Sequence, residues 1–194
     1  MAYATAALLK SYLGITGATD DTLLGLLLDR ATAAIDAYTG NVFVSASATR
    51  YLEQWMLDDD GLTLWTDGPF TSITTLKNGD SSNTAIANTE YTLVDRNAGA
   101  PYWAIRLKSN STVSWTWDTD YHVECTANWG FSAAPPDDIV HACIRLAGYY
   151  YRQKDAQVFD VTAQPDAGII TIPQGMPADV VKILKPYRQN VGWL

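Results

Sequence analysis

The chain has 194 residues, 47% of them hydrophobic, and a formal net charge of −8, which leaves room for one domain or two small ones around a sizeable core. Only 13 Lys and Arg stand against 21 Asp and Glu. That balance excludes a conventional nucleic-acid binder, which needs clustered cations against the phosphates, but not a protein that surrounds DNA without gripping it.

Residues 5–13 read as a short helix with Ala6, Leu8, Leu9, Tyr12 and Leu13 as its apolar side chains, closed by Gly14 and Gly17. Residues 19–40, TDDTLLGLLLDRATAAIDAYTG, carry both ends of a longer helix. Thr19 supplies a capping hydroxyl, Asp20 and Asp21 put negative charge at the positive end of the helix dipole, and Gly40 suits a left-handed closing residue. Leu24, Leu28, Ala31, Ile35 and Tyr38 recur at helical spacing as the buried stripe. Leu23, Leu26, Leu27, Ala33, Ala34 and Ala37 widen it, and only Gly25, Asp29, Thr32 and Asp36 remain as a polar face. So much apolar surface requires a second cover, either the rest of the chain or a neighbouring subunit.

From residue 49 to 129 the texture changes to short alternating segments rich in Thr, Ser, Trp and Tyr. TRYLEQWML reads as a strand with Tyr51, Glu53, Trp55 and Leu57 on one face, followed by the acidic turn Asp58-Asp59-Asp60-Gly61 and a return through Leu62 to Trp65. SITTLKNG ends in Asn78-Gly79, a tight-turn signal. Residues 90–95 and 102–107 flank a hairpin loop over 97–101, and Val113, Trp115 and Trp117 alternate with polar residues. In the last strand Tyr121, Val123, Cys125, Ala127 and Trp129 face one way, while His122, Glu124, Thr126 and Asn128 face the other. This pattern predicts a small antiparallel sandwich or barrel inserted between helices, with most of its aromatics in the core.

Helical periodicity resumes at Pro135-Pro136-Asp137-Asp138, with Ile139, Ala142, Cys143, Leu146, Ala147 and Tyr150 as the buried stripe. A polar loop, the apolar run Ile169-Ile170-Thr171-Ile172, a short helix from Pro177 and a tail ending in Trp193 and Leu194 complete the sequence. The expected fold class is α+β. Residues 1–47 and 131–155 form an α-helical bundle with helices 20–39 and 136–154 central. Residues 48–130 are an inserted antiparallel β domain, and 156–194 an extended C-terminal docking segment with a short helix over 177–185.

Little chemistry is legible. His122 and Cys125 point to opposite faces of a strand, and His141 and Cys143 lie about 200° apart on a helix, so neither pair reads as a metal site. Asp58-Asp59-Asp60-Gly61 lacks the spaced ligands and distal glutamate of a calcium loop. No nucleophile elbow, phosphate-binding glycine loop or dinucleotide fingerprint occurs in the sequence. The expectation is a non-enzymatic protein with no metal and no cofactor. No apolar run approaches the ~20 residues of a membrane span, and Met1 opens no signal-like segment, so synthesis inside the cell and no membrane partner are expected. Cys125 and Cys143 are read as reduced, buried thiols. Lys182, Lys185 and Arg188 form a modest basic stripe that suits either the helix dipole or an acidic partner.

Several stretches taken together resemble the head–tail connector (neck adaptor, or head-completion) proteins of long-tailed double-stranded-DNA bacteriophages. They are DDTLLGLLLDRATAAIDAYTG, TRYL, DGPFTSITTL and PPDDIVHACIRLAGYYYRQKD, in that order, with MPADVVKILKPYR near the end. Asn41 departs from the basic residue that often follows the glycine, and the β insertion is longer and richer in Trp than usual. The resemblance implies a virion neck protein made in the host bacterial cytoplasm. It implies a homo-oligomeric ring, usually dodecameric, that binds the portal protein above and a tail terminator, stopper or other neck protein below. Genomic DNA would pass through its channel without sequence-specific binding. On this reading Lys185, Tyr187, Arg188, Trp193 and Leu194 are the portal-docking residues, and Leu26, Ala33 and Ala37 lie at a subunit interface. The alternatives are a tail-terminator-like ring component and a Trp-rich β module that binds carbohydrate or protein.

Overall fold

The computed structural model describes residues 2–95, 97–118, 122–156 and 175–189. Among the described residues it is a mixed α/β chain with α-helices α1 (Ala6–Leu13), α2 (Asp21–Thr39), α3 (Asp137–Ala156) and α4 (Ala178–Leu184). Its strands are β1 (Ala46–Leu52), β2 (Thr63–Lys77), β3 (Tyr91–Leu93), β4 (Tyr102–Leu107) and β5 (Val123–Trp129). By contacts it divides into a helical unit, Met1–Gly40 with Pro135–Leu194, and a β unit, Asn41–Ala134.

In the helical unit, Thr5 caps α1 by accepting the Leu8 N–H, and Gly14 closes the helix in the left-handed region at φ 72. Gly40 does the same for α2 at φ 71, its N–H donating to the Asp36 carbonyl at 2.8 Å. The start of α2 differs from the sequence expectation. Asp20, not Thr19, occupies the N-cap, and its side chain makes no capping bond. The Asp20 carboxylate instead accepts from the Tyr151 hydroxyl and lies 3.4 Å from Lys154 Nζ, which ties the start of α2 to the end of α3.

Leu24, Leu28, Ala31 and Ile35 are buried, as the stripe predicts, against α3, where Ile139, Ala142, Cys143, Leu146 and Ala147 are buried in turn. Thr32 was expected on the polar face and is buried. Its hydroxyl accepts the Tyr3 N–H at 3.1 Å and lies 3.7 Å from Cys143 Sγ, while the Tyr3 hydroxyl donates to Asp36. The N-terminal segment thus covers a side of α2 that helical periodicity alone assigns to solvent. α1 packs on α2 and α3, with Tyr12 and Leu13 over Gly148, and α4 packs on α3 through the buried Val180 and Leu184.

The β unit holds, among the described residues, one open antiparallel sheet in the order β1-β5-β2-β4-β3 rather than a sandwich or barrel. The reason lies in β2. The sequence reads as separate segments around Asp67-Gly68-Pro69, yet the chain runs through them as one strand of 15 residues. Its first part pairs with β4 and its second with β5, with shifts of register between Trp65 and Phe70, so a single bent strand does the work of two.

Two further segments depart from expectation. β1 ends at Leu52, and Gln54–Met56 turn as a 3-10 helix, so Tyr51, Glu53, Trp55 and Leu57 do not share a strand face. Val113, Trp115 and Trp117 join no ladder beyond a single bridge between Trp117 and Gly79. Their indoles seal the sheet instead: Trp115 Nε1 donates to the Leu62 carbonyl at 2.8 Å and Trp117 Nε1 to the Leu52 carbonyl at 3.0 Å. Asn78-Gly79 also does not make a two-residue hairpin, since the Asn78 N–H donates to the carbonyl of Thr84. The buried Asn78 carboxamide donates to the Ser114 carbonyl and accepts the Thr116 N–H, and a Cβ on Gly79 would stand 2.5 Å from the Thr116 carbonyl oxygen. Glycine is required there by close backbone approach rather than by turn geometry.

The last strand follows its pattern. Val123, Cys125, Ala127 and Trp129 are buried among Leu52, Leu64, Phe70, Leu76, Ile105 and Leu107, while Glu124, Thr126 and Asn128 are half-exposed. Tyr121, the run Ile169–Ile172 and the polar loop before it lie outside the described residues.

Candidate functional site

The groups able to carry chemistry are dispersed and occupied. Burial in the sheet core pushes the Cys125 thiol up to about 12, and burial also raises that of Cys143, so both are inert at neutral pH. His122 Nε2 faces Glu53 at 3.1 Å on the β unit, whereas His141 is exposed on α3. Among the described residues no group of three or more His, Cys, Asp or Glu could hold a metal ion.

The acidic turn is a structural device. Asp60 accepts the N–H groups of Leu62 and Thr63 at 2.8 Å, the Thr63 hydroxyl at 2.9 Å and Arg106 Nη1 at 2.6 Å. The backbone bonds from Thr63 and Leu62, more than Arg106, hold its carboxyl down at about 2. Glu90 organises a second loop in the same way, accepting from the Ser111 hydroxyl and the Thr112 N–H, which lower its pKa. Among the described residues no helix is long and apolar enough to cross a membrane.

What the molecule offers is surface. Leu26 is 63% exposed, and Ala33 and Ala37 are exposed on the same face of α2, opposite the buried Leu24, Leu28, Ala31 and Ile35. Leu8 and Tyr12 are exposed on α1. In the β unit Trp55 is 74% exposed and Tyr51 63%, with Trp65 also in the open, whereas Trp115 and Trp129 are core residues. Among the described residues, six Trp therefore divide between core and surface more evenly than the strand pattern predicts, with Trp103 and Trp117 half-buried.

Of the five residues read as a docking tail, Lys185, Tyr187 and Arg188 are among the described residues. Lys185 is exposed. Tyr187 is half-buried, and desolvation, followed by the charge of Asp138 and a hydrogen bond to it, raises its pKa. The Arg188 guanidinium lies 5.7 Å from the centre of the Tyr38 ring. Trp193 and Leu194 lie outside the described residues. Tyr3 and Gln189 escape the sequence analysis, because each acts by meeting residues of α2 distant in sequence and neither belongs to a periodic pattern.

A family model for the head completion protein (HCP) matches residues 4–190. The chain belongs to the head completion protein family. No curated protein matches it. Among solved structures, a chain in the neck of an empty gene transfer agent (GTA) particle, computed with C6 symmetry, is 22% identical. The match covers 96% of this chain and 89% of that one at a TM-score of 0.63. A chain from the neck of the native GTA particle, computed with C12 symmetry, is 21% identical over 94% and 87% of the two chains, at 0.60. A third, from the virion of the native GTA particle, is 23% identical over 96% and 89%, at 0.62. These likenesses establish that this member of the head completion family has the fold of those chains.

Proposed function

We propose that this chain is a structural, non-enzymatic protein of the neck of a phage-type virion. It forms a ring between portal and tail that completes the head and extends the DNA channel. The family match over residues 4–190 carries the reading, and the fold shared with chains from C6- and C12-symmetric necks supports it. In this ring the helical unit is a bundle that forms the wall, residues 48–130 are an inserted domain, and residues 156–194 are an arm that docks on the portal.

The exposed apolar face of α2 is the surface such a ring requires. Leu26, Ala33 and Ala37 give a helix face with one projecting side chain and two small ones, suited to heterologous packing on the next copy. A formal net charge of −8 suits a channel through which DNA must slide, because attraction to the wall would retard passage. Trp193 and Leu194 supply an aromatic and an aliphatic group of the kind that dominates interfaces.

Leu26→Glu should block ring assembly, seen by electron microscopy of the protein mixed with portal, while barely changing the melting of the monomer. Loss of monomer stability would instead assign Leu26 to the intramolecular core. Deleting residues 192–194 should leave the monomer folded and abolish attachment to portal-bearing heads. Unchanged attachment would remove the docking role from the arm.

A further inference from the structure

A ring made of one chain closes through a heterologous contact, in which two different patches of the chain meet. Among the described residues of the helical unit, the large apolar side chains that stand exposed are Leu8, Tyr12 and Leu26. They form two patches. Leu26 projects with Ala33 and Ala37 from the side of α2 turned away from α3. Asp29 and Arg30 flank it on opposite sides, about 100° apart around the helix. The Arg30 guanidinium is drawn aside onto the Tyr150 ring, 4.4 Å from its centre. Isologous packing of this face on itself closes at two copies. In the antiparallel sense it also sets Asp29 beside Asp29 of the other copy and Arg30 beside Arg30, like charge against like.

The second patch is on α1. The exposed residues of that helix are Ala7, Leu8, Ser11 and Tyr12, all uncharged, and its one charged group, Lys10, is held by Asp21 at 2.6 Å. Leu8 and Tyr12 stand one turn apart on the same side. The two patches also lie at the same height along α3. The Leu28 carbonyl lies 3.9 Å from Cys143 Sγ and Asp20 accepts from Tyr151, so Leu26 stands between the levels of Cys143 and Tyr151. Tyr12 covers Gly148, within the same interval of α3. We propose that Leu26 of one copy packs on the α1 face of the next, against Leu8 and Tyr12. The proposal rests on the ring reading and names the surface that receives α2. With α3 running along the ring axis, rotation from copy to copy keeps each residue at its height. The projecting leucine then reaches an uncharged face, where Asp29 and Arg30 meet no like charge.

The test is ring formation by the full chain on portal, counted by electron microscopy. Leu26→Glu and Leu8→Arg should each lower the count about tenfold or more, since each buries a charge without a partner. The two together set Glu against Arg and should return the count to within about threefold of the parent. Leu8→Cys combined with Leu26→Cys keeps both sites uncharged. Oxidation of its rings should give a ladder of covalent oligomers beyond the dimer, with the buried Cys125 and Cys143 silent. Leu26→Cys alone should stay monomeric after oxidation. Covalent dimers from Leu26→Cys alone would overturn the α1 contact and leave α2 at an interface. So would a loss with Leu26→Glu that Leu8→Arg neither shares nor rescues. Parent-like rings from Leu26→Glu would instead remove the α2 interface, and the proposal with it.

Discussion

The core of the helical unit is mainly aliphatic, and the threonines and thiol buried in it are small: Thr32 and Cys143 meet at 3.7 Å, and the Thr39 hydroxyl donates to the Ile35 carbonyl. The core of the β unit is closed by indoles whose ring N–H groups end on main-chain carbonyls: Trp115 on Leu62, Trp117 on Leu52 and Trp129 on Ala48. The difference follows from the backbone. Helices satisfy their own peptide groups, so their contacts can be made by side chains chosen for volume alone. An open, bent sheet with irregular connections leaves carbonyls that need donors, and Trp supplies a donor together with a large apolar ring. Stability should therefore respond to lost volume in the helical unit, and to backbone approach and hydrogen-bond geometry in the β unit.

The strongest way to break that contrast is Leu28→Ala, which empties a site at the centre of α2 that is 2% exposed. A loss of about 2–5 kcal/mol is expected for such a cavity. Every Trp except Trp193 belongs to the β unit, so Trp fluorescence should keep its unfolding midpoint while helical circular dichroism shifts. If both signals move together, the units unfold as one and the comparison fails. Gly79→Ala is the converse experiment. It forces a Cβ to within 2.5 Å of the Thr116 carbonyl oxygen and should cost about 1–3 kcal/mol in the Trp-reported transition only.

Trp129→Phe sharpens the hydrogen-bond side of the argument. It keeps an aromatic ring for the edge contact with Phe70 but removes the donor to Ala48, for an expected loss of about 1 kcal/mol in urea unfolding. The smallest effect is electrostatic. The folded-state pKa of Asp60, about 2, lies below its ordinary value of 3.8, so the ionised carboxylate favours the folded β unit above pH 3.8. That contribution is lost as the pH falls from 3.8 toward 2, and Asp60→Asn should flatten the acid limb of the Trp-reported transition in this interval. An unchanged acid limb would show that the turn tolerates a neutral side chain at this position.

Where a segment obeys one period, its residues alone reveal what it becomes. The buried stripes of α2 and α3, the closing Gly40 and the alternation from Val123 to Trp129 all follow from spacing, because burial on one face of a regular element selects residue type at a fixed repeat. Leu26, Ala33 and Ala37 belong to this class, since an apolar residue off the buried stripe is visible in the sequence. The end of β1 at Leu52 and the continuity of β2 through Gly68-Pro69 are not legible in that way. Strand ends depend on which neighbours offer hydrogen bonds, and those neighbours are distant in sequence.

The sequence by itself determined two helix-rich stretches flanking a Thr- and Trp-rich β segment, the faces of the long helices and the resemblance to head-completion proteins. Each rests on local periodicity, on composition or on the order of motifs. Only the tertiary structure decided that Thr32 is buried beneath Tyr3, that Asn78-Gly79 supports a backbone crossing, and that Tyr187 and Arg188 turn back onto Asp138 and Tyr38. These are pairings of single residues far apart in the chain, and a polar side chain has the same letter whether it meets water or a helix end.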